Sequence, residues 1–493
     1  MNQRNIEPCW TCRNRRIQCD QTCTPCKKCQ KAGLECFDKR PFRWVKGVAI
    51  RGNMRGRSFQ NNTESSSEDN DNMISVSARV KPATNSESEF HSHLHFNDNE
   101  RICKLFIVYD SDRNPFRSLI PLGLKDPVLL KSLLALAARH HVNTGRSFHY
   151  ANLPTEPGLI NANRDALSFK HQSIEALSRS VQHDQLRNQD TTVASIFLLI
   201  FLDLIESGGD GWNFHLEGVK KLITSLYSQS ELQAGVNYGP GETVQEIRGF
   251  ITNQIHLIET LGATFLRPKL LSQFSSFGQQ ELQLQETVEK SFLGCPEYIL
   301  TAIQCLSVQR DSISSSASLD LATVASHIRE TEYLMQFVQN FDCYAWASNL
   351  QRSRNPSAQE VSNLCILSQS YKLGTLLYGR RILDALIKEE SVQDELISEL
   401  LGLIDSLKDD PDLFKCILWP VFVAGLECKW QAQRDFLIGC LERFWTLTSC
   451  LNAVNAAKIL RDHWQEKDSE SSNNPKTQWI FDIGKLGRDW LWI

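Results

Sequence analysis

The sequence predicts two unlike parts: a small cysteine-rich module at the N-terminus and a large all-α body. Three observations lead there. Seven of the 16 cysteines fall between Cys9 and Cys36 in "CWTCRNRRIQCDQTCTPCKKCQKAGLEC". A stretch dominated by Ser, Asn, Asp and Glu, from about Asn61 to Glu100, follows and cannot offset the entropy of ordering. Beyond Arg101 apolar residues recur at helical spacing, and no convincing alternating strand appears. With 493 residues, 41% hydrophobic and 22% charged, the chain has the composition of a soluble globular protein whose polar stretches are concentrated in a connector.

The opening "MNQRNIEPCW" holds no apolar run, so no secretory signal is expected and the cysteines are expected to be reduced and intracellular. In a reducing compartment closely spaced cysteines are metal ligands more often than cross-links. Their spacing repeats: Cys9, Cys12 and Cys19 are matched 17 residues later by Cys26, Cys29 and Cys36, and Ile17 by Leu34. Cys23 stands outside the repeat. Zinc takes four tetrahedral ligands, and thiolate is among its favoured donors. Two zinc ions need eight coordination positions, which six thiolates supply if two of them bridge, and the repeat nominates Cys9 and Cys26. Such a cluster would replace the core that a segment this short cannot build, making metal binding and folding one equilibrium.

Charge is divided in the same way. The first 60 residues carry 14 basic and 4 acidic side chains, whereas the remainder carries 39 and 53. A basic head on an acidic body points to a polyanionic partner for the head alone.

The cysteine pattern, with the basic run "RNRRIQ" after Cys12, Pro25 before Cys26 and "KAGLEC" closing the second half, resembles the fungal binuclear zinc cluster family of DNA-binding transcription regulators. The resemblance covers Cys9 to Cys36 without a gap. It implies zinc, two ions per cluster, held by Cys9, Cys12, Cys19, Cys26, Cys29 and Cys36. It also implies a helix after the second ligand that enters the major groove of double-stranded DNA and reads a CGG-like triplet. By position Arg15 and Arg16 correspond to the base-reading pair, and Arg13 and Gln18 to backbone-contacting neighbours. Arginine suits that task because its guanidinium can donate two hydrogen bonds to guanine O6 and N7. Lys27 and Lys28, with Lys31, are expected on phosphates, where they add affinity without sequence information.

After Cys36 the basic, glycine-spaced segment with Phe42 and Trp44 suggests further phosphate contact and nuclear import. His91, His93 and His95 alternate in the polar connector and are expected to be incidental. No Leu or Ile heptad supports pairing through a coiled coil. In the body, Asp126-Pro127 signals a helix start, with Leu130, Leu133, Leu134, Ala137 and His141 expected on its buried face. "VASIFLLIFLDLI", Val193–Ile205, is too short for a bilayer and is expected as a buried helix. Leu437, Cys440, Leu441, Phe444, Leu447 and Leu451 mark another helix, and Pro420 is expected to kink the one around it. Segments such as "PVLLKSLLALAARHH", "GWNFHLEGVKKLI" and "WPVFVAGLE" are similar to the helical regulatory domain of fungal zinc cluster factors. Trp212 and His215 are expected to be structural ties rather than ligand contacts. No nucleophile elbow, phosphate-binding loop or His-Glu-x-x-His pair is present, so the expectation is not an enzyme.

The expected fold class is therefore a small zinc-stabilised module, a two-zinc six-cysteine cluster with two short helices, plus a large all-α domain. The expected divisions are 1–40, a connector over 41–100, and 101–493. The expected function is a nuclear, sequence-specific regulator of RNA polymerase II transcription. Its expected partners are double-stranded DNA, transcription machinery or co-regulators, a second copy of the chain and a small-molecule effector, with no membrane. The alternative is a zinc-binding scaffold or metal sensor without sequence readout, which would leave the basic run unexplained.

Overall fold

The computed structural model describes residues 8–15, 17–20, 26–32, 34, 36, 101–150, 157–183, 189–209, 211–232, 242–265, 293–315, 320–350, 356–469, 479–482 and 489–493. Arg16, Cys23, the connector, Phe42, Trp44 and the three connector histidines lie outside them. The chain separates into two units, Met1–Lys81 and Pro82–Ile493. The described part of the first unit holds two five-residue helices, α1 (Trp10–Asn14) and α2 (Lys27–Lys31).

The second unit is helical, and its described residues contain no strand beyond one isolated bridge between Gly209 and Trp490. Its first half is built from α3 (Pro115–Gly123), α4 (Pro127–Thr144), α5 (Pro157–Gln182), α6 (Asp190–Glu206), α7 (Gly211–Leu232) and α8 (Glu242–Ala263). Asp126 caps α4 by accepting from the backbone N–H groups of Val128 and Leu129, with Pro127 at the first helical position where no N–H is needed. Helix α4 packs on both α5 and α6, so it is covered on more than the one expected face. His140 is buried in place of the expected His141, which is exposed. Every residue of α6 from Thr192 to Ile205 is buried, as expected for the Val193–Ile205 run. Among the described residues no helix is long and apolar enough to cross a membrane.

The second half contains α9 (Glu297–Ser315), α10 (Leu321–Gln339), α11 (Cys343–Asn349), α12 (Ala358–Ile387), α13 (Asp394–Leu407), α14 (Leu418–Glu427), α15 (Gln431–Thr448) and α16 (Leu451–Ser469). Helix α12 is its axis and packs against α9, α10, α11, α13 and α14. A capping box starts α12: Ser357 N–H donates to Glu360 Oε2 at 2.7 Å, and Glu360 N–H to Ser357 Oγ at 3.2 Å. Two expectations shift here. Pro420 does not kink a helix, because α14 begins at Leu418 and its first turn tolerates the missing N–H. Leu451 does not belong to the helix of Leu437, because α15 ends at Thr448 and Ser449 adopts a left-handed φ of 53°.

Polar side chains fasten distant segments inside the apolar core. Asn143 Nδ2 donates to both Ile205 O at 2.8 Å and Ser449 O at 2.9 Å, joining the ends of α6 and α15. Trp212, fully buried, donates from Nε1 to Asp489 O at 3.1 Å, and Asn213 Nδ2 donates to Asp489 Oδ2 at 2.7 Å. Leu491 N–H donates to Gly208 O at 2.8 Å. Gly208 has a left-handed φ of 75°, and a Cβ there would lie 2.6 Å from Asn452 Cβ. Trp212 is thus a structural tie, as expected, and it is seated so tightly on α8 that a Cβ on Gly262 would come within 2.4 Å of its ring.

A buried ionic group joins α12 to α14. Arg381 grips Glu427 through Nε at 2.8 Å and Nη2 at 2.5 Å, and reaches Asp384 Oδ2 at 2.6 Å; Trp479 Nε1 donates to Glu427 Oε1 at 2.6 Å. Burial alone would raise the Glu427 carboxyl, but the Arg381 guanidinium and Trp479 hold it below the ordinary value. Its stabilisation is therefore complete above the ordinary glutamate range, near about 4.3, and is lost as pH falls through the depressed folded value. Glu427→Gln should lower the unfolding free energy of the chain at pH 7 by about 2 kcal/mol. The difference from wild type should shrink in acid, both read from urea unfolding at several pH values.

Candidate metal centre

The two halves of the head fold alike. Cys9 precedes α1 with φ −59° and ψ 148°, and its Sγ accepts from Cys12 N–H at 3.4 Å. Cys26 precedes α2 with φ −66° and ψ 147°, and its Sγ accepts from Cys29 N–H at the same 3.4 Å. In each half a thiol thus takes the capping role usually filled by Ser, Asp or Asn. The chain after each helix closes in the same manner, with Ile17 N–H on Cys12 O at 3.1 Å and Leu34 N–H on Cys29 O at 3.0 Å. The 17-residue repeat is therefore a repeat of backbone geometry.

These two caps bring six sulfurs together. Cys9, Cys12, Cys19 and Cys26 form one group of four, and Cys9, Cys26, Cys29 and Cys36 a second, with the sulfurs of each group within 4.8 Å of one another. Cys9 and Cys26 belong to both. The sulfur pairs Cys9–Cys26, Cys9–Cys29 and Cys9–Cys19 are each 3.8 Å apart, and Cys12–Cys26 is 3.6 Å. A tetrahedral zinc site with Zn–S near 2.3 Å requires sulfur separations of about 3.8 Å. The donor set fits the ion in number, chemistry and spacing.

Nothing else in the described head forms a core. Its buried apolar cluster consists of cysteines, and the repeated apolar pair is largely exposed, Ile17 at 36% and Leu34 at 43%. Burial pushes the Cys29 thiol up to about 12, whereas the Cys29 N–H, the largest influence on Cys26, helps draw that thiol below its ordinary value. Holding several buried thiolates side by side requires a compensating cation, which a divalent metal supplies.

The basic residues face outward. Arg13 and Arg15 on and just after α1, Gln18 beyond it, and Lys27 and Lys28 on α2 are all exposed. One polar contact was not foreseen: Asp20 Oδ2 accepts from Lys27 N–H at 3.1 Å, so the loop leaving the first half reaches the first turn of the second. Its signal in the sequence is only a lone acidic residue after Cys19.

Comparison with known proteins agrees with this geometry. Residues 7–44 match the fungal Zn(2)-Cys(6) binuclear cluster domain, which binds two zinc ions, and residues 94–493 match the fungal specific transcription factor domain. The "Acriflavine sensitivity control protein acr-2" of Neurospora crassa is 26% identical over 384 residues, covering 74% of this chain and 61% of that relative. The chain thus spans about three fifths of that relative's length. The "Phomenoic acid biosynthesis cluster-specific transcriptional regulator" of Leptosphaeria maculans is 21% identical over 480 residues, covering 92% of this chain and 85% of the relative. No solved structure matches. With both domain types matched, one across the head and one across the whole helical body, the chain belongs to the family of fungal zinc cluster transcription factors.

Proposed function

We propose that this chain is a nuclear regulator of RNA polymerase II transcription that reads a CGG-like triplet in double-stranded DNA through its zinc-folded head. The observation that carries this reading is the coincidence of two sulfur groups sharing Cys9 and Cys26 with exposed basic residues on both short helices. Cys12 and Cys19 complete one site, Cys29 and Cys36 the other, and Cys9 and Cys26 bridge. Zinc supplies the structural bonds that an apolar core supplies elsewhere.

With the sulfurs fixed, α1 is short and rigidly capped, so side chains leaving its end approach a duplex as one unit. Arg15 and Arg16 read guanine edges. Arg13, Gln18, Lys27 and Lys28 contact the backbone and set register. The reading divides the chain into the head, 1–40, a connector, 41–100, and a regulatory body, 101–493. The body receives a signal and passes it to transcription machinery or co-regulators, and a second copy of the chain extends recognition to paired half-sites. No step in this account requires catalysis by the body.

Cys26→Ser removes a ligand from both sites, and zinc bound to the full chain should fall from two ions to none, while Cys23→Ser should retain both. Loss of zinc from Cys23→Ser would overturn the ligand assignment. Selection of duplexes from a random pool by the zinc-loaded full chain should enrich a CGG-like triplet, and a chelator should abolish the enrichment. Arg15→Ala should relax preference at one base pair by about 1–3 kcal/mol, whereas Lys27→Ala should weaken all duplexes alike. A folded, zinc-loaded chain that enriches no sequence would refute the reading.

A further inference from the structure

The helical body contains a solvent-open cavity of about 710 Å³ between α10, α12 and the segment leading into α13. That volume lies within the range of about 300–1,000 Å³ common to small-molecule sites. Met335, Leu376 and Leu396 give it apolar walls, and Val392, 73% exposed, stands at its edge.

Two adjacent arginines on α12 behave in opposite ways. Arg381 is consumed internally by Glu427, Asp384 and the Ser391 carbonyl. Arg380 lines the cavity, its Nε is shielded from solvent, and among the described residues it has no hydrogen bond or ion pair. A shielded guanidinium N–H without an acceptor is unfavourable, and a carboxylate is the acceptor that matches its two-pronged donor geometry.

The part of the cavity wall at Ser391 and Gln393 is held in place before anything binds. Ser391 donates to Asp384 through Oγ at 2.6 Å and through N–H at 3.2 Å, its carbonyl accepts from Arg381 Nη1 at 3.1 Å, and Gln393 Nε2 donates to Ser391 Oγ at 2.6 Å. A wall pinned in this way loses little freedom on binding. Two acidic residues in the lining, Asp394 and Glu395, narrow the choice of occupant. Asp394 is paired with Lys429 at 3.1 Å and Glu395 is exposed. One cation beside two carboxylates in the same lining favours a single negative charge and opposes a polyphosphate.

We propose that this cavity is a binding site for an amphipathic organic monocarboxylate, its acid group on Arg380 and its apolar body between Met335, Leu376 and Leu396. The site goes beyond the DNA reading and does not depend on it, since its test measures ligand binding in the absence of DNA.

The test is a fluorescence anisotropy titration of the full zinc-loaded chain with pyrenebutyrate, its uncharged counterpart pyrenebutanol, and the cationic pyrenebutylammonium. Pyrenebutyrate should bind about tenfold more tightly than the alcohol or more, the advantage expected of a charge-assisted hydrogen bond. Arg380→Gln should erase that advantage, leave the alcohol's affinity within about twofold, and leave the melting temperature unchanged because Arg380 makes no internal bond. Val392→Trp, at the exposed edge, should weaken acid and alcohol together. Equal binding of acid and alcohol, an Arg380→Gln variant that keeps the preference, preference for the cation, or no binding at all would each overturn the proposal.

Discussion

The head depends on two sulfur atoms that belong to two groups at once. Cys9 and Cys26 each cap a five-residue helix and each stand in both tetrads, so the local conformation of either half and the junction between halves are set by the same atoms. Helices of that length have no stability of their own in water. With Ile17 and Leu34 exposed, apolar burial cannot supply it either. Metal–thiolate bonding therefore decides whether the head has a structure, and the outward placement of Arg13, Arg15, Lys27 and Lys28 follows from it.

The body solves the opposite problem. It has apolar surface in excess, as the all-round burial of α6 shows, and oily contacts alone would not fix which helix lies against which. Directional groups do so: Asn143 between two carbonyls, Trp212 and Asn213 on Asp489, and Arg381 spanning Glu427, Asp384 and Ser391. Removing one member of such a group leaves the others buried and unpaired, which is why their loss is felt beyond a single contact. Arg380 is the instructive exception, one residue from Arg381 and facing a cavity instead of a partner.

Much of the head was legible because metal ligation ties function to residue type and spacing. Six cysteines in a repeated pattern point to six sulfurs brought together, to Cys9 and Cys26 as the two that stand in both groups, and to the offset of the two short helices. Asp20 was not legible, because a carboxylate accepting one backbone N–H has no periodic signature. In the body, helix existence followed from periodicity, while helix faces followed less well. Helix α4 is covered by α5 and α6 together, so a one-face reading exchanged His140 for His141. Pro420 and Leu451 were misjudged because a helix start and a left-handed helix end depend on where the chain turns. The cavity beside Arg380 has no sequence signal, since its walls come from three segments that only the fold brings together.

Bridging by Cys9 and Cys26, as proposed, would couple the two metal sites, because withdrawing either ion would change the ligands of the other. The most direct test of the account is a count of zinc ions on the intact chain by native mass spectrometry during titration with a chelator. The account predicts two ions that leave together in one transition, with no populated one-zinc species. A single ion at saturation, or two ions leaving in well-separated steps, would contradict a centre built on shared Cys9 and Cys26.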